Sequence, residues 1–391
     1  MNKKSFCGGI VTGIAAASVV FSIVSFSATG LAKGSFSSED KLTYISALLD
    51  KYYVDDIDYD KLIEGASAGL VDGVGDPYTT YISKDELEDF VNFTNGEFCG
   101  IGAGIMYNSD KNKAVISYLM DNSPAEKSGI LPLDEIVSVN GEDVTDMDLD
   151  TIVSKVRGPK DTTVEIVVYR PDDNLNHTFK ITRDAIDIQS VAGEVLDGNI
   201  GYVYISGFKA NTYDQLMTEL NNLKSQGIKG LIIDLRDNPG GLLTSVEKIA
   251  DEFIPEGNVV YTIDKNGNRK DFNADKNYDD IPLVVLVNGN SASASEIFSG
   301  AVQDRGRGKL VGTQTFGKGL VQNLYQIPDG SAVKITIEKY YTPKGVCIQG
   351  IGITPDYVVE RTDDLPSVIL LKHEDDAQLK KALEVVKGEI K

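Results

Sequence analysis

The stretch "PLVVLVNGNSASASEIFSGAVQDRGRGKLVG", Pro282 to Gly312, decides the fold. An apolar run reads as a strand and leads into three serines alternating with alanine, Ser291, Ser293 and Ser295. An amphipathic stretch follows, and then a second apolar run. The same strand-then-helix order appears upstream. "NIGYVYISGF" precedes "TYDQLMTELNNLKSQG", and "IKGLIIDLRD" precedes "NPGG" and the helical "LLTSVEKIADEF". Downstream, "GTQTFGKGLVQNLYQIPDG" leads to the strand "SAVKITIEKYYT". Strands alternating with helices indicate an α/β core.

The texture differs on either side of this core. "EDKLTYISALLDKYY" and "YDKLIEGASAGLVDGV" carry apolar residues at helical spacing. "GDPYTTY" breaks that pattern, and "SKDELEDFVNF" opens like a capped helix, with Ser83 and Glu86. From about 95 to 172 the chain reads as short strands and turns, with one helical stretch in "DLDTIVSKVRG". "HEDDAQLKKALEVVKGEIK" at the end is a charged amphipathic helix. The expected organisation is a leader over 1–34, a helical region over 35–94, a β-rich module over 95–172, the core over 173–366 and a C-terminal helix over 367–391.

The chain has 391 residues, with 38 Lys+Arg against 59 Asp+Glu and a formal charge of −21. Such a surface repels phosphate backbones, which argues against nucleic acid as a partner. Cys7, Cys99 and Cys347 are scattered, and no Cys/His cluster suggests zinc. Free thiols are expected at Cys99 and Cys347. Lys3 and Lys4 precede a run from Ser5 to Ala32 with no charged residue. It fits an uncleaved membrane anchor with its N-terminus inside. "GLA" before Lys33 is also an acceptable cleavage site for a secretory signal. Both readings put the remaining chain outside the cytoplasm.

Ser293 has two local readings. With Glu296 it matches the S-x-x-E capping box of a helix start. A helix N-terminus also suits a nucleophile, since it supplies N–H donors and a favourable field. Neither histidine sits in a rigid, walled context. His177 falls in a polar hairpin tip, "DDNLNHTF", and His373 in the charged C-terminal segment. The candidate proton acceptor is therefore Lys318 in "GTQTFGKGLVQ", because serine–lysine pairs obey the same logic as a triad. A lysine with the ordinary pKa of about 10.4 is neutral in roughly one molecule in 2,500 at pH 7. Burial and nearby positive potential must lower it. Phe316, Leu320 and Val321 supply apolar neighbours, and Gly317 and Gly319 allow close backbone approach. "DLRDNPGG" ends an apolar strand in a glycine turn whose N–H groups can form an anion nest. Gly312 to Lys318 also satisfies most of a Walker A loop, but Gly319 replaces the hydroxyl residue and a strand replaces the helix. "FCGIGAGI" is a glycine-rich turn whose N–H groups suit a carboxylate, beside a strand edge suited to an extended peptide.

Taken together, "NSASASEIFSGAVQDRGRGKLVGTQTFGKGLVQ", "GVGDPYTTYIS", "DLRDNPGG" and "GIGITPDYVV" resemble the carboxyl-terminal processing peptidases, or tail-specific proteases. The resemblance spans about 40 to 360. It implies a ClpP/crotonase-like α/β protease core with an inserted PDZ domain. It further implies Ser293 as nucleophile, Lys318 as general base and Gln322 supporting the lysine. The oxyanion amides would come from Gly240 or Gly241 and from Ala294. Gly100, Ile101, Gly102 and Ala103 would form the carboxylate-binding loop of the PDZ domain. Asp304 and Glu296 are expected to be structural. "GILPLDEI" departs from the family by placing Leu133 where glycine is usual, which would reshape that turn. The resulting expectation is an extracytoplasmic serine endopeptidase that reads C-terminal tails of protein substrates, with no metal, nucleotide or organic cofactor. The alternative is a PDZ scaffold or sensor with an inert core. The N- and C-terminal helices are the expected surfaces should the chain form a homodimer.

Overall fold

The protein was analysed as a computed structural model that describes residues 38–108, 113–120, 122–361 and 372–390. The leader expected over 1–34 lies outside the described residues. No helix of the described residues is long and apolar enough to cross a membrane. The chain divides into two compact units, Met1–Leu62 and Ile63–Lys391. The first holds the helix Ser38–Tyr52 and the opening of the helix Tyr59–Asp72. Asp58 starts the second helix by accepting from the Lys61 amide at 3.1 Å, and the Tyr59 hydroxyl donates back to Asp50 at 2.7 Å. Leu42, Ile45 and Leu48 of the first helix remain exposed.

The second unit is built on a six-stranded sheet. Its order is Val191–Leu196, Ile200–Ile205, Gly230–Asp234, Leu283–Val287, Lys309–Gly312 and Tyr357–Val358. The first pair is antiparallel and the others parallel. Every residue of Gly230–Asp234 and Leu283–Val287 is buried. Strands covered on both faces read as continuous apolar runs, as these do. Side chains alternate across the sheet and feed two cores. Leu231, Ile233 and Val285 pack against Leu216, Leu220, Ile249 and Phe298 from the helices Thr212–Ser225, Leu243–Phe253 and Ala294–Asp304. Ile232, Val284 and Leu286 face the other way, onto Leu379, Ala382 and Val386 of the helix Ala377–Glu389.

A second sheet joins Thr80–Ile82, Ala332–Tyr341, Gly257–Asp264 and Arg269–Ala274, with Leu320–Gln326 also paired to Ala332–Tyr341. The helix Lys84–Asn95 starts where the S-x-x-E pattern predicts, with the Ser83 amide and hydroxyl donating to Glu86 at 3.1 and 2.7 Å.

The β-rich module has its own core around Ile116, Ile136, Ile152 and Ile166. Its sheet runs Ala103–Asn108, Lys113–Leu119, Glu135–Val139, Thr163–Arg170 and Leu175–Thr182. The boundary at 172 read from the sequence cuts this sheet. Thr163–Arg170 and Leu175–Thr182 form one hairpin across the polar tip, and Glu97–Gly100 then pairs with Asp184–Asp187 to close the module. Leu133 also departs from expectation. The turn keeps a left-handed residue, with Leu133 at φ +74 and largely exposed. The Leu133 amide donates to Ile116 O at 2.8 Å and holds it there. Cys99 and Cys347 are free and half-buried.

Candidate active site

The three serines have different environments. Ser291 and Ser295 are fully buried, and their hydroxyls donate to Leu235 O at 2.7 Å and Asn238 O at 2.9 Å. Ser293 is half-buried, and with Glu296 it forms the capping box that opens the helix, so its hydroxyl is not tied to a carbonyl as the other two are. Its backbone stands at φ 55, ψ −112, a conformation costly for any residue but glycine. The strand Leu283–Val287 and the helix Ala294–Asp304 enforce this sharp turn between them.

Glu296 ties the serine to the lysine. It is fully buried, and its Oε2 accepts from the backbone amides of Ser293 at 2.8 Å and Lys318 at 2.9 Å. Its Oε1 accepts from the Gly317 amide at 2.8 Å and the Thr315 hydroxyl at 2.6 Å. Burial pushes this carboxyl above its ordinary value, while the four donors pull it back. The Tyr340 hydroxyl meets Ser293 O at 3.0 Å and also bonds Lys318 O. One carboxylate oxygen and one phenol therefore hold the backbones of residues 293 and 318 within two hydrogen-bond lengths of each other. Glycines permit this packing, since a Cβ on Gly319 would meet Gln349 N at 2.7 Å.

Lys318 projects into an open cleft of about 420 Å³, lined also by Tyr78, Asp237, Pro239, Ala292 and Phe316. Burial, and next the charge of Lys334, lower its pKa, while Asp76 and Glu296 oppose them. Gln322 donates its amide to Thr336 Oγ1 at 3.3 Å, across the strand pair.

The glycine turn is fastened to the serine helix. Asn238 is fully buried, its carbonyl accepts from the Ala292 amide at 3.0 Å, and its Nδ2 donates to Ile205 O at 2.8 Å. Gly240 stands at φ +101, and a Cβ there would meet Ser293 Cβ at 2.9 Å and Ala292 O at 2.6 Å. The turn and the serine are thus in direct contact. The Gly240 amide is already spent on Asn238 Oδ1 at 2.8 Å. Among the described residues the amides of Gly241 and Ala294 donate to no acceptor, so they remain free to bind an anion.

Arg236, just before the turn, is fully buried between two carboxylates. It pairs with Asp234 and with Asp376 at 2.7 Å, and donates to Gln378 at 2.9 Å. Asp376 also caps the C-terminal helix by accepting from Leu379 N at 2.9 Å. Asp304 accepts from the Lys344 amide at 2.9 Å at the far end of the serine helix, a structural role. Sequence reasoning missed Tyr78, Asn238, Arg236 and Tyr340 as parts of the site. "GDPYTTY" and "DLRDNPGG" held the first three inside quoted motifs without giving those side chains a role, and no local signal marks Tyr340.

The other motifs are also resolved. Lys318 leads into the strand Leu320–Gln326, so the Walker-like glycines have no helix beneath them. In the β-rich module Ile101 O accepts from the Ala125 amide at 2.8 Å and Gly102 O from Met120 at 2.9 Å. Gly102 has φ +74 with Ser123 Cβ only 2.3 Å from where a Cβ would stand, so no other residue fits. Gly100 and Ile101 are buried, and Ala103 begins the strand that would receive a peptide.

Residues 199–359 match the family described as Peptidase family S41, 92–169 the PDZ domain, and 25–86 the "Activating protease CtpB N-terminal domain". Fold and matches together define a peptidase that carries a PDZ domain. A "Carboxyl-terminal-processing protease" of Synechocystis sp. is 38% identical over 318 residues, covering 80% of this chain and 74% of that protein. The "Carboxy-terminal processing protease CtpB" of Bacillus subtilis is 36% identical over 329 residues, covering 83% and 68%. Among solved structures, the photosystem II D1 C-terminal processing protease is 31% identical and covers 87% of this chain and 96% of its own, with a TM-score of 0.49. The chain belongs to the carboxyl-terminal-processing protease family.

Proposed function

We propose that the protein is an extracytoplasmic serine endopeptidase that captures C-terminal tails in its PDZ domain and cuts with a Ser293–Lys318 pair. The observation that carries this reading is the shared hold of Glu296 Oε2 on the amides of Ser293 and Lys318. Neutral Lys318 accepts the Ser293 proton as the oxygen attacks the scissile carbonyl, then returns it to the leaving amine. The lowered lysine pKa supports that role, because the free amine is the working form. The oxyanion rests on the amides of Gly241 and Ala294, and Gly240 keeps the turn against the serine. Gln322 steadies the lysine by turning from Thr336 toward it. The loop Gly100, Ile101, Gly102 and Ala103 receives the tail carboxylate, a role favoured by carbonyls that already bond inward.

Cleavage of an unfolded protein with a free C-terminal tail tests the assignment. Ser293→Ala and Lys318→Ala both abolish cleavage, and amidating the tail raises KM. Full activity in either variant refutes the pair, and a wild-type protein that binds tails without cutting them is a scaffold instead. The uncharged run Ser5–Ala32 supports attachment to the membrane or secretion. Protease accessibility in intact cells tests the location. The exposed Leu42, Ile45 and Leu48 support a second copy of the chain as a partner, which light scattering of the purified protein tests.

A further inference from the structure

One wall of the cleft comes from outside the segment that matches the peptidase family. Tyr78 lines the cleft with Lys318, yet it precedes that segment by more than a hundred residues. It sits on a strap, 75–79, that folds on its own carboxylate. Asp76 accepts from the Tyr78 amide at 3.1 Å and from the Thr79 hydroxyl at 2.6 Å. The strap is fastened to the strand Ala332–Tyr341, because Thr336 N donates to Thr79 Oγ1 at 3.1 Å and Thr80 pairs with Lys334. That same strand carries Tyr340, which bonds the Lys318 carbonyl. The outcome is a Tyr78 ring whose centroid lies 4.6 Å from Lys318 Nζ. Among the described residues no hydrogen-bond acceptor or carboxylate partner is recorded for that nitrogen.

We propose that Tyr78 is a positioning residue for the Lys318 amine, its ring forming the seat that holds the nitrogen in the cleft. This rests on the reading of Lys318 as the proton acceptor. A lysine side chain has four rotatable bonds, and freezing them costs up to about 2 kcal/mol of rotamer freedom. A seat lowers that cost at the moment of reaction. An aromatic face suits the task better than a carboxylate. It attracts the ammonium weakly and keeps water off one side, whereas a paired carboxylate would lock the amine in its charged form. The charges that face the amine are Lys334 from the second sheet, Asp76 from the strap and Glu296 from the serine helix, with the Tyr340 hydroxyl at its carbonyl and Asp237 of the glycine turn lining the same cleft. Tyr78 adds a cation-attracting surface to this set. Removing it therefore has two separable effects. The amine loses its position, so kcat falls, and its charged form loses support, so its titration moves to lower pH.

The test uses the full chain with Tyr78→Phe and Tyr78→Leu. The Phe variant keeps the ring and stays within about twofold of wild-type kcat. The Leu variant loses roughly tenfold in kcat with KM little changed. Its rising limb of kcat moves down by about half a pH unit. Wild-type kcat and limb in Tyr78→Leu overturn the proposal, and so does a Phe variant as impaired as the Leu one, which would assign the role to the hydroxyl. Lys318→Ala, run alongside, separates the two levels. If it is inactive while Tyr78→Leu is normal, only the seat is wrong, but if it remains active the serine–lysine reading falls first. Acylation of Lys318 across pH, read by mass spectrometry, reports the same seat without turnover. The midpoint of the Leu curve lies at lower pH than those of the wild-type and Phe proteins, and coincident curves overturn the proposal. Tyr78→Met takes the place of Tyr78→Leu should the latter not fold.

Discussion

Replacing Gly240 with alanine tests whether the glycine turn holds the serine in place. The added Cβ would stand 2.6 Å from Ala292 O and 2.9 Å from both Ala294 N and Ser293 Cβ. Two of these three atoms are backbone and cannot swing away. Ordinary contact begins near 3.4 Å, so the turn and the serine must part by about 0.8 Å. Displacement on that scale costs about 100-fold in rate when it falls between a nucleophile and its oxyanion donors. The φ of +101 adds roughly 1–2 kcal/mol of backbone strain, which lowers stability. Stability and catalysis separate with Gly267→Ala as control. That residue has φ +84 but no atom within 4 Å of a new Cβ, so it carries the strain without the collision. Urea unfolding and cleavage kinetics on the same preparations give the comparison. Both variants lose stability, and only Gly240→Ala loses about two decades of kcat. A folded Gly240→Ala protein with kcat near wild type would refute a catalytic role for the placement of this turn against Ser293.

Further outcomes follow from individual contacts. Lys318→Met stabilises the protein at neutral pH. The folded state holds this amine below its ordinary pKa, so between the two values the unfolded chain binds more protons and wild-type stability climbs with pH. The advantage of Met in urea midpoints is therefore largest at or below pH 7 and closes toward about pH 10.4, and a gap that widens with pH contradicts the argument. Asp376→Asn strips one carboxylate from buried Arg236 and destabilises by roughly 3 kcal/mol. A loss below about 1 kcal/mol in urea unfolding would mean that Asp234 alone compensates the charge. Leu133→Gly relieves a left-handed residue at an exposed turn and raises stability by about 1 kcal/mol, and an unchanged or lower melting temperature would show that the leucine side chain makes up for its strain.

The α/β core was legible because Gly230–Asp234 and Leu283–Val287 are covered on both faces and so read as unbroken apolar runs. The helices were legible from spacing, and Ser83 with Glu86 marked one start. What decides between Ser291, Ser293 and Ser295 was not local. It depends on Leu235 and Asn238, whose carbonyls occupy two of the three hydroxyls from another strand end. The choice between Gly240 and Gly241 likewise turns on where Asn238 Oδ1 points. Arg236 and Asp376 lie 140 residues apart, and no periodicity connects them.

The buried Arg236 has a consequence for how the enzyme comes into being. Its guanidinium is neutralised in part by a residue that emerges from the ribosome 140 positions later. A growing polypeptide that has already made its glycine turn and the Ser293 helix still lacks the Asp376 carboxylate and the helix that covers one face of its sheet. The charge balance of Arg236 and the cover on that face of the sheet are thereby completed only when the last helix has been made, so the surroundings of the glycine turn are the part of the fold that closes late.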